Sequence, residues 1–491
     1  MFFLLGVCTA CQVESGILEP SSATAAIMTP TETSIPASEA VSEGPDEGLA
    51  TMEEPDSTET STPAALDGPW LVYPAPDGSG LHAYDVDAGV VIEIPLPELV
   101  YPGDLVDGLS PDGHTLILRA GSPLNTDELA LYQIDLPSTQ ATKVTPLLSL
   151  SIQRDIINGE DAQALTVLSA VTFPDGLAWS PDGRYLAFSA ALDSRSSDLY
   201  VLDIEKDRIN RLNGLYTQSV SPSWAPGSNW LVNQELGSYA SETGWRAEVV
   251  DVISVPDYAD QNALYIPGGQ SQSEVFVAWI NAQSLISYSQ TADGLQTLRQ
   301  VNVINRSVGI HLQGGFRQVA FDPESRCLAL VLSEEDALPM GLMSGVYLLQ
   351  ADSTVLMLQR AGNWEALKWD EGGVFVAAGS QGVFAFTPEG KGLILRDEGN
   401  LNVSPSGNWM IAWGDGEASA SGARLYQNPS GNLLQQITDR AVTSVYWLPD
   451  SKAFFIQSEG TLYFLAFPEL NLAAVEIGVS VDASLEFIWV E

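Results

Sequence analysis

The sequence predicts an all-β chain in which four-stranded antiparallel units repeat around a ring, a single β-propeller, behind a disordered acidic stalk. Three observations carry this expectation. Downstream of Pro69 the chain runs as short alternating strands punctuated by Gly, Pro, Asp, Asn and Ser turns, the pattern of half-buried strands joined by tight connections. One strand–turn–strand unit recurs in register along that region, as repeat architectures require. The two ends of the region are also complementary: it opens without a first strand and finishes on one.

Taken in order, residues 2–7 form a short apolar run that leads into Cys8-Thr9-Ala10-Cys11, followed at once by polar Ser, Thr, Glu and Pro. This resembles the end of a bacterial lipoprotein signal peptide, in which small residues precede the lipid-bearing cysteine. The resemblance implies Cys11 as the lipidation site, with residues 1–11 a truncated signal. Cys8 stands where that family usually has Leu, and no cationic residue precedes the apolar run. The run is far shorter than the roughly 20 residues a membrane-spanning helix needs. Residues 12–67 are Ser, Thr, Pro, Ala and Glu with almost no aromatics. Such a stretch buries too little apolar surface to offset its chain entropy, so it is expected to be an extended, self-repelling linker.

Residues 68–491 carry the repeats. The clearest runs from Leu177-Ala178-Trp179 through Ser180-Pro181-Asp182-Gly183 to Tyr185-Leu186-Ala187-Phe188, then Asp198-Leu199-Tyr200-Val201 and Arg208-Ile209-Asn210-Arg211. That order reads as four strands, the first ending at Trp179 and the others starting at Tyr185, Leu199 and Arg208. Pro presets φ at the turn corner and Gly supplies a positive φ, so Asp182-Gly183, like Asp112-Gly113, is turn chemistry. The position of Trp179 is repeated by Leu109, Trp224, Trp279, Phe321, Trp369, Val403, Trp447 and Trp489. Successive positions after Trp179 lie between 34 residues apart (Trp369 to Val403) and 55 (Trp224 to Trp279), near the spacing of four-stranded propeller blades. The longer interval from Leu109 to Trp179 holds an extra stretch, about 149–172, expected as a long loop or extra hairpin. Nine positions imply nine blades, or eight if one degenerate unit is displaced. Trp70-Leu71-Val72-Tyr73 reads as a second strand lacking a first. The C-terminal strand through Trp489 supplies it, closing the ring and removing two open sheet edges.

The unit Trp-Ser-Pro-Asp-Gly, an apolar strand ending Ala-Phe, and an Asp-Leu-Tyr-Val strand resemble the TolB-type propeller family. The resemblance is strong over 179–203, good over 109–119 and 447–464, and degenerate around Trp279 and Trp369. It implies docking of partner proteins at the cell envelope.

Composition narrows the function. The formal charge of −43 reflects 63 acidic residues against only 20 Lys plus Arg, with none before Arg119. Nucleic-acid affinity depends on cations displacing counterions, so nucleic acid is not an expected partner. The only membrane attachment expected is the lipid anchor. The regularly placed aromatics, Trp179, Trp224, Trp279, Phe321, Trp369, Trp447 and Trp489, read as packing between blades. Trp245, Trp364, Trp409 and Trp413 fall outside that register, and Trp245 sits in a stretch, 237–246, expected as a loop. Three histidines, His82, His114 and His311, form no zinc-binding pattern, and no Asp-x-Asp-x-Asp-Gly run signals calcium. Turn acids such as Asp112, Asp182 and Asp450 are read as turn stabilisers. Cys327, inside an apolar run, reads as a buried strand residue.

No Gly-x-Ser-x-Gly elbow occurs, Gly379-Ser380-Gln381-Gly382 being one residue short. The repeats leave no stretch for the α/β-hydrolase domain that peptidases of similar architecture carry. The reading is therefore a non-catalytic, extracytoplasmic monomer without cofactor, presenting one face to an envelope protein, peptide or glycan. The alternative is a propeller glycosidase or lyase that uses carboxylates at the channel mouth.

Overall fold

The computed structural model describes residues 69–490 apart from a set of connecting segments, the longest being 256–263, 415–421 and 476–485. Cys11 and the linker lie outside the described residues, as do the side chains of Trp245, Trp364 and His311.

The Leu177 unit folds as its sequence demands. Strands Leu177–Trp179, Tyr185–Ala190, Asp198–Asp203 and Arg208–Arg211 pair antiparallel in chain order. Eight such four-stranded sheets stand as the blades of a β-propeller. A three-stranded sheet, Thr115–Ala120, Ala130–Asp135 and Gln140–Pro146, lies between the Trp70 and Leu177 blades. There Leu109 reaches Leu116 through a single antiparallel bridge instead of a full first strand. The nine repeat positions thus resolve into eight complete blades and one reduced unit.

Closure follows the expected pairing. Strand Ile488–Val490 lies antiparallel to Trp70–Pro74, with Trp70 opposite Val490, Leu71 opposite Trp489 and Val72 opposite Ile488. Apolar clusters fill each junction between neighbouring sheets. Leu71 and Tyr73 of the Trp70 blade pack on Phe455 and Leu462 of the Val442–Trp447 blade, which seals the ring. Almost every close approach between neighbouring sheets involves a first strand, whereas fourth strands such as Val90–Pro95 and Asn432–Thr438 are largely exposed. First strands therefore surround the axis and fourth strands form the rim. Cys327 is buried in the strand Cys327–Leu332.

Two segments differ from the expectation. The insertion is helical: α1 (Leu150–Asn158) and α2 (Ala162–Val171) pack on the Leu177 blade and on Leu148 and Ala191. Ser149 caps α1 by accepting from the Ile152 amide, and Gly159 ends it at φ 66°, the usual start and stop chemistry. Ile152 and Ile156, one turn apart, and Ala164, Val167 and Val171, at spacings of three and four, put apolar faces inward. The second difference is at 237–246, expected as a loop. It is mostly strand, because the hairpin Trp230–Ala240 and Gly244–Ser254 continues to the pair Ala240–Gly244.

Candidate functional site

The repeat aromatics and turn residues assemble into a device that locks the sheets together. In the turn after Leu109, Ser110 Oγ donates to Asp112 Oδ1 (2.6 Å) and accepts from the Thr115 amide (2.9 Å), while the Gly113 amide closes on the Ser110 carbonyl (2.8 Å). The Ser180 turn repeats this through Asp182, Tyr185 and Gly183. Gly113 and Gly183 stand at φ 74° and 71°, a region that favours glycine. Hydrogen bonds from Ser110 and the His114 amide hold the Asp112 carboxyl below its ordinary range.

The tryptophans connect one sheet to the next. Trp179 Nε1 donates to the Gly108 carbonyl (2.7 Å), Trp224 to Ala178 (2.9 Å), Trp279 to Ser223 (3.1 Å) and Trp369 to Ala320 (3.2 Å). Each acceptor directly precedes the equivalent position of the preceding sheet. Gly108 is required there, since a Cβ would fall 1.8 Å from the Ile117 carbonyl oxygen. Phe321 and Trp489 pack in the corresponding clusters, and Trp447 packs tilted against Phe454 and stacked on Phe467. Trp409 and Trp413, outside the register, lie in a second strand, with Trp409 against Phe467. A cavity of about 310 Å³ between the Ser110 and Ser180 turns, floored by Trp179 and Ile204, has the inner oxygens of Asp112 and Asp182 already committed to the turns.

The opposite end of the ring, where each fourth strand leads into the next first strand, carries charge. A one-turn helix, Asp104–Asp107, precedes Leu109. Asp104 points inward to Arg119, and both are 1% exposed. Arg119 Nη2 meets Asp104 Oδ1 at 2.6 Å, Nε meets Oδ2 at 2.9 Å, and the Arg119 amide donates to Oδ2 at 2.8 Å. Nη1 reaches across to the carbonyls of Val171 (2.8 Å), the last residue of α2, and of Phe173 (2.9 Å) just past it. The guanidinium lies so close to Gly176 that a Cβ there would sit 2.5 Å from Nη1. Burial pushes the Asp104 carboxyl upward despite Arg119.

Asp107, Asp175 and Glu486 surround this pair, each just before the first strand of its sheet. Glu486 accepts the Gly103 amide at 2.9 and 3.0 Å, tying the closing strand to the Asp104 helix. Burial, then repulsion from Asp175, Asp104 and Glu486, pushes Asp107 up to about 6, with Arg119 pulling the other way. Burial also raises Glu486. The cationic side chain at the centre of this group is spent on Asp104 and two carbonyls, which leaves the outer carboxylates to repel one another.

This cluster lay beyond the sequence reading, since its members come from residues 104, 107, 119, 175 and 486. The one available signal was Arg119 itself, a cation inside the otherwise apolar strand Thr115–Ala120. Among the described residues, no group of three or more His, Cys, Asp or Glu is arranged to hold a metal ion, and no helix is long and apolar enough to cross a membrane.

No family model matches the chain, and none of the curated proteins is similar to it. Solved structures do resemble it. The chain is similar to a eukaryotic initiation factor at 11% identity, covering 86% of this chain and 98% of that one, with a TM-score of 0.52. It is also similar to dipeptidyl peptidase 4 of Porphyromonas gingivalis at 13% identity, covering 80% of this chain, with a TM-score of 0.46; it spans 65% of that peptidase's length. A third resemblance is to oligogalacturonate lyase in complex with manganese, at 12% identity, covering 82% and 98% of the two chains, with a TM-score of 0.39. At such identities the likeness is one of fold.

Proposed function

We propose that this chain is a non-catalytic, TolB-type binding propeller, tethered outside the cytoplasm through a lipid on Cys11, that docks a basic protein or peptide segment at the Asp107 end of the ring. One observation carries the reading: Asp107, Asp175 and Glu486 converge around a cation already consumed by Asp104. An incoming lysine or arginine would relieve their mutual repulsion, and a guanidinium can pair a carboxylate in two-pronged fashion. The charge of −43 favours the same partners by steering encounters.

Fluorescence anisotropy with labelled Lys- and Arg-rich peptides tests the docking. Saturable binding that weakens with salt and falls about tenfold in Asp107→Asn/Glu486→Gln supports it. Equal binding by the double variant, or none by the parent, overturns it. The tether is tested separately, since Cys11→Ser should move the protein from the membrane to the soluble fraction. A second reading rests on Asp107 at about 6, a value suited to a general acid. Turnover of a glycosidic substrate that is lost in Asp107→Asn would establish an enzyme in place of a docking module.

A further inference from the structure

The blade that begins at Gln218–Trp224 meets the Leu177 blade through an apolar junction that includes Leu231 and Ile253. Further along the same face the side chains turn polar while staying buried. Asn233 and Asp251 stand opposite each other in antiparallel register, and Glu235 follows two residues after Asn233, on the same side of the pleat. All three are fully buried, at 0% exposed.

Glu235 is well supplied with donors. Its Oε1 accepts from Asn213 Nδ2 (2.8 Å), Ser219 Oγ (2.7 Å) and Asn233 Nδ2 (2.6 Å), and its Oε2 accepts from Thr217. Its neighbours are not. Among the described residues, both carboxylate oxygens of Asp251 and the amide oxygen of Asn233 have no hydrogen-bond partner. The Asn213 amide and the Val252 backbone N–H lie near enough to Asp251 to favour its charged form against burial, but neither meets hydrogen-bond geometry to its oxygens, and Asn213 gives its two N–H groups to Ser219 and Glu235. Asp198, which adds to the negative field at Glu235, is itself paired with Arg211 (2.8 Å), and Arg211 also meets Asp193 (3.1 Å).

Three orphan oxygens on two adjacent buried side chains, all of them acceptors, are an unusual combination. Unpaired buried polar atoms are few in native proteins and point to a missing water or ion. Here every orphan accepts and none donates, beside two acidic side chains, and that set matches a hard cation. We propose that Asn233, Glu235 and Asp251 bind a calcium ion within this junction. Calcium takes carboxylate and amide oxygens in flexible geometry, whereas magnesium demands near-octahedral order and sheds water reluctantly, which disfavours it in a fully buried pocket. The two carboxylates balance a divalent charge, and the Asn233 amide oxygen adds a neutral ligand.

The test is thermal unfolding and calorimetric titration of the full chain, stripped with a chelator and resupplied with calcium chloride or magnesium chloride. Calcium at about a hundredfold over its Kd should raise the unfolding temperature by a few degrees, with magnesium much less effective. Asp251→Asn should abolish the calcium response while melting, without calcium, at least as high as the parent. Asn233→Asp, which adds a charged ligand, should bind calcium about tenfold more tightly, and it gives an independent reading should Asp251→Asn fail to fold. A parent that ignores calcium overturns the proposal. So does a calcium response undiminished in Asp251→Asn, or weakened in Asn233→Asp.

Discussion

Replacing Arg119 with leucine probes the buried pair at the Asp107 end of the ring. In the parent, the guanidinium gives Asp104 three contacts of 3.1, 2.9 and 2.6 Å and caps the carbonyls of Val171 and Phe173. Arg119→Leu leaves Asp104 with the backbone amide of residue 119 as its donor in place of the guanidinium, and leaves two carbonyls bare. An uncompensated buried charge costs about 3–5 kcal/mol, and each bare buried acceptor adds about 1 kcal/mol or more. A loss of roughly 5–7 kcal/mol at pH 7.5 is therefore expected, read as a shifted urea midpoint.

The double variant Arg119→Leu/Asp104→Leu replaces the pair with apolar side chains and should recover at least half of that loss, since buried pairs are often matched by hydrophobic replacements. The pH sign is also fixed. Without Arg119, burial holds the Asp104 carboxyl further above its ordinary 3.8. The folded single variant then takes up a proton more readily than its unfolded chain, so it regains stability as pH falls toward 5. A single variant within 1 kcal/mol of the parent, or a double variant no better than the single, would refute this account.

Three further outcomes are expected. Deleting residues 485–491 removes the strand paired to Trp70–Pro74, together with Trp489 and the buried Ile488 and Val490. It should cost about 3–5 kcal/mol for the aromatic alone, seen as lost cooperativity in calorimetry, whereas deleting 12–61 should leave the melting temperature unchanged. Trp224→Phe keeps the ring but loses the hydrogen bond to the Ala178 carbonyl; chemical denaturation should show a loss of about 1–3 kcal/mol, with the acceptor left bare. Asp107, raised to about 6, contributes stability while protonated and loses it as pH rises from about 4 through 6. Asp107→Asn should flatten that part of the pH–stability profile and be the more stable protein at pH 7.5, by on the order of 1 kcal/mol after allowing for solvent screening.

The architecture was legible because its determinants are local. Two-residue alternation sets the strands, Ser110 and Ser180 with their Asp and Gly set the turns, and a large apolar residue at one position per repeat, aromatic except at Leu109 and Val403, marks the register. The pairing of Ile488–Val490 with Trp70–Pro74 could be inferred because a unit lacking its first strand and a surplus first strand answer each other. The helical insertion was legible only as an interruption, since the apolar spacing of α1 and α2 is short and overlaps what a hairpin could carry. The charged end was not legible, because Asp107, Asp175 and Glu486 are neighbours only once the ring has closed. The pocket at Asp251 escaped for a related reason, since its partner Asn233 is assigned by hairpin register and its isolation by the packing of another blade.

The closing strand also sets a clock. Trp70–Pro74 is among the earliest strands of the ring to be synthesised, and its partner Ile488–Val490 is among the last. At about 5–20 residues per second, that edge waits on the order of tens of seconds for its neighbour, and joining segments so distant in sequence is entropically slow. Until then Leu71 and Tyr73, which end up fully enclosed against Phe455, have no blade to pack against. A nascent head therefore cannot lock prematurely, and it remains dependent on whatever shields an open β-edge while it is being made.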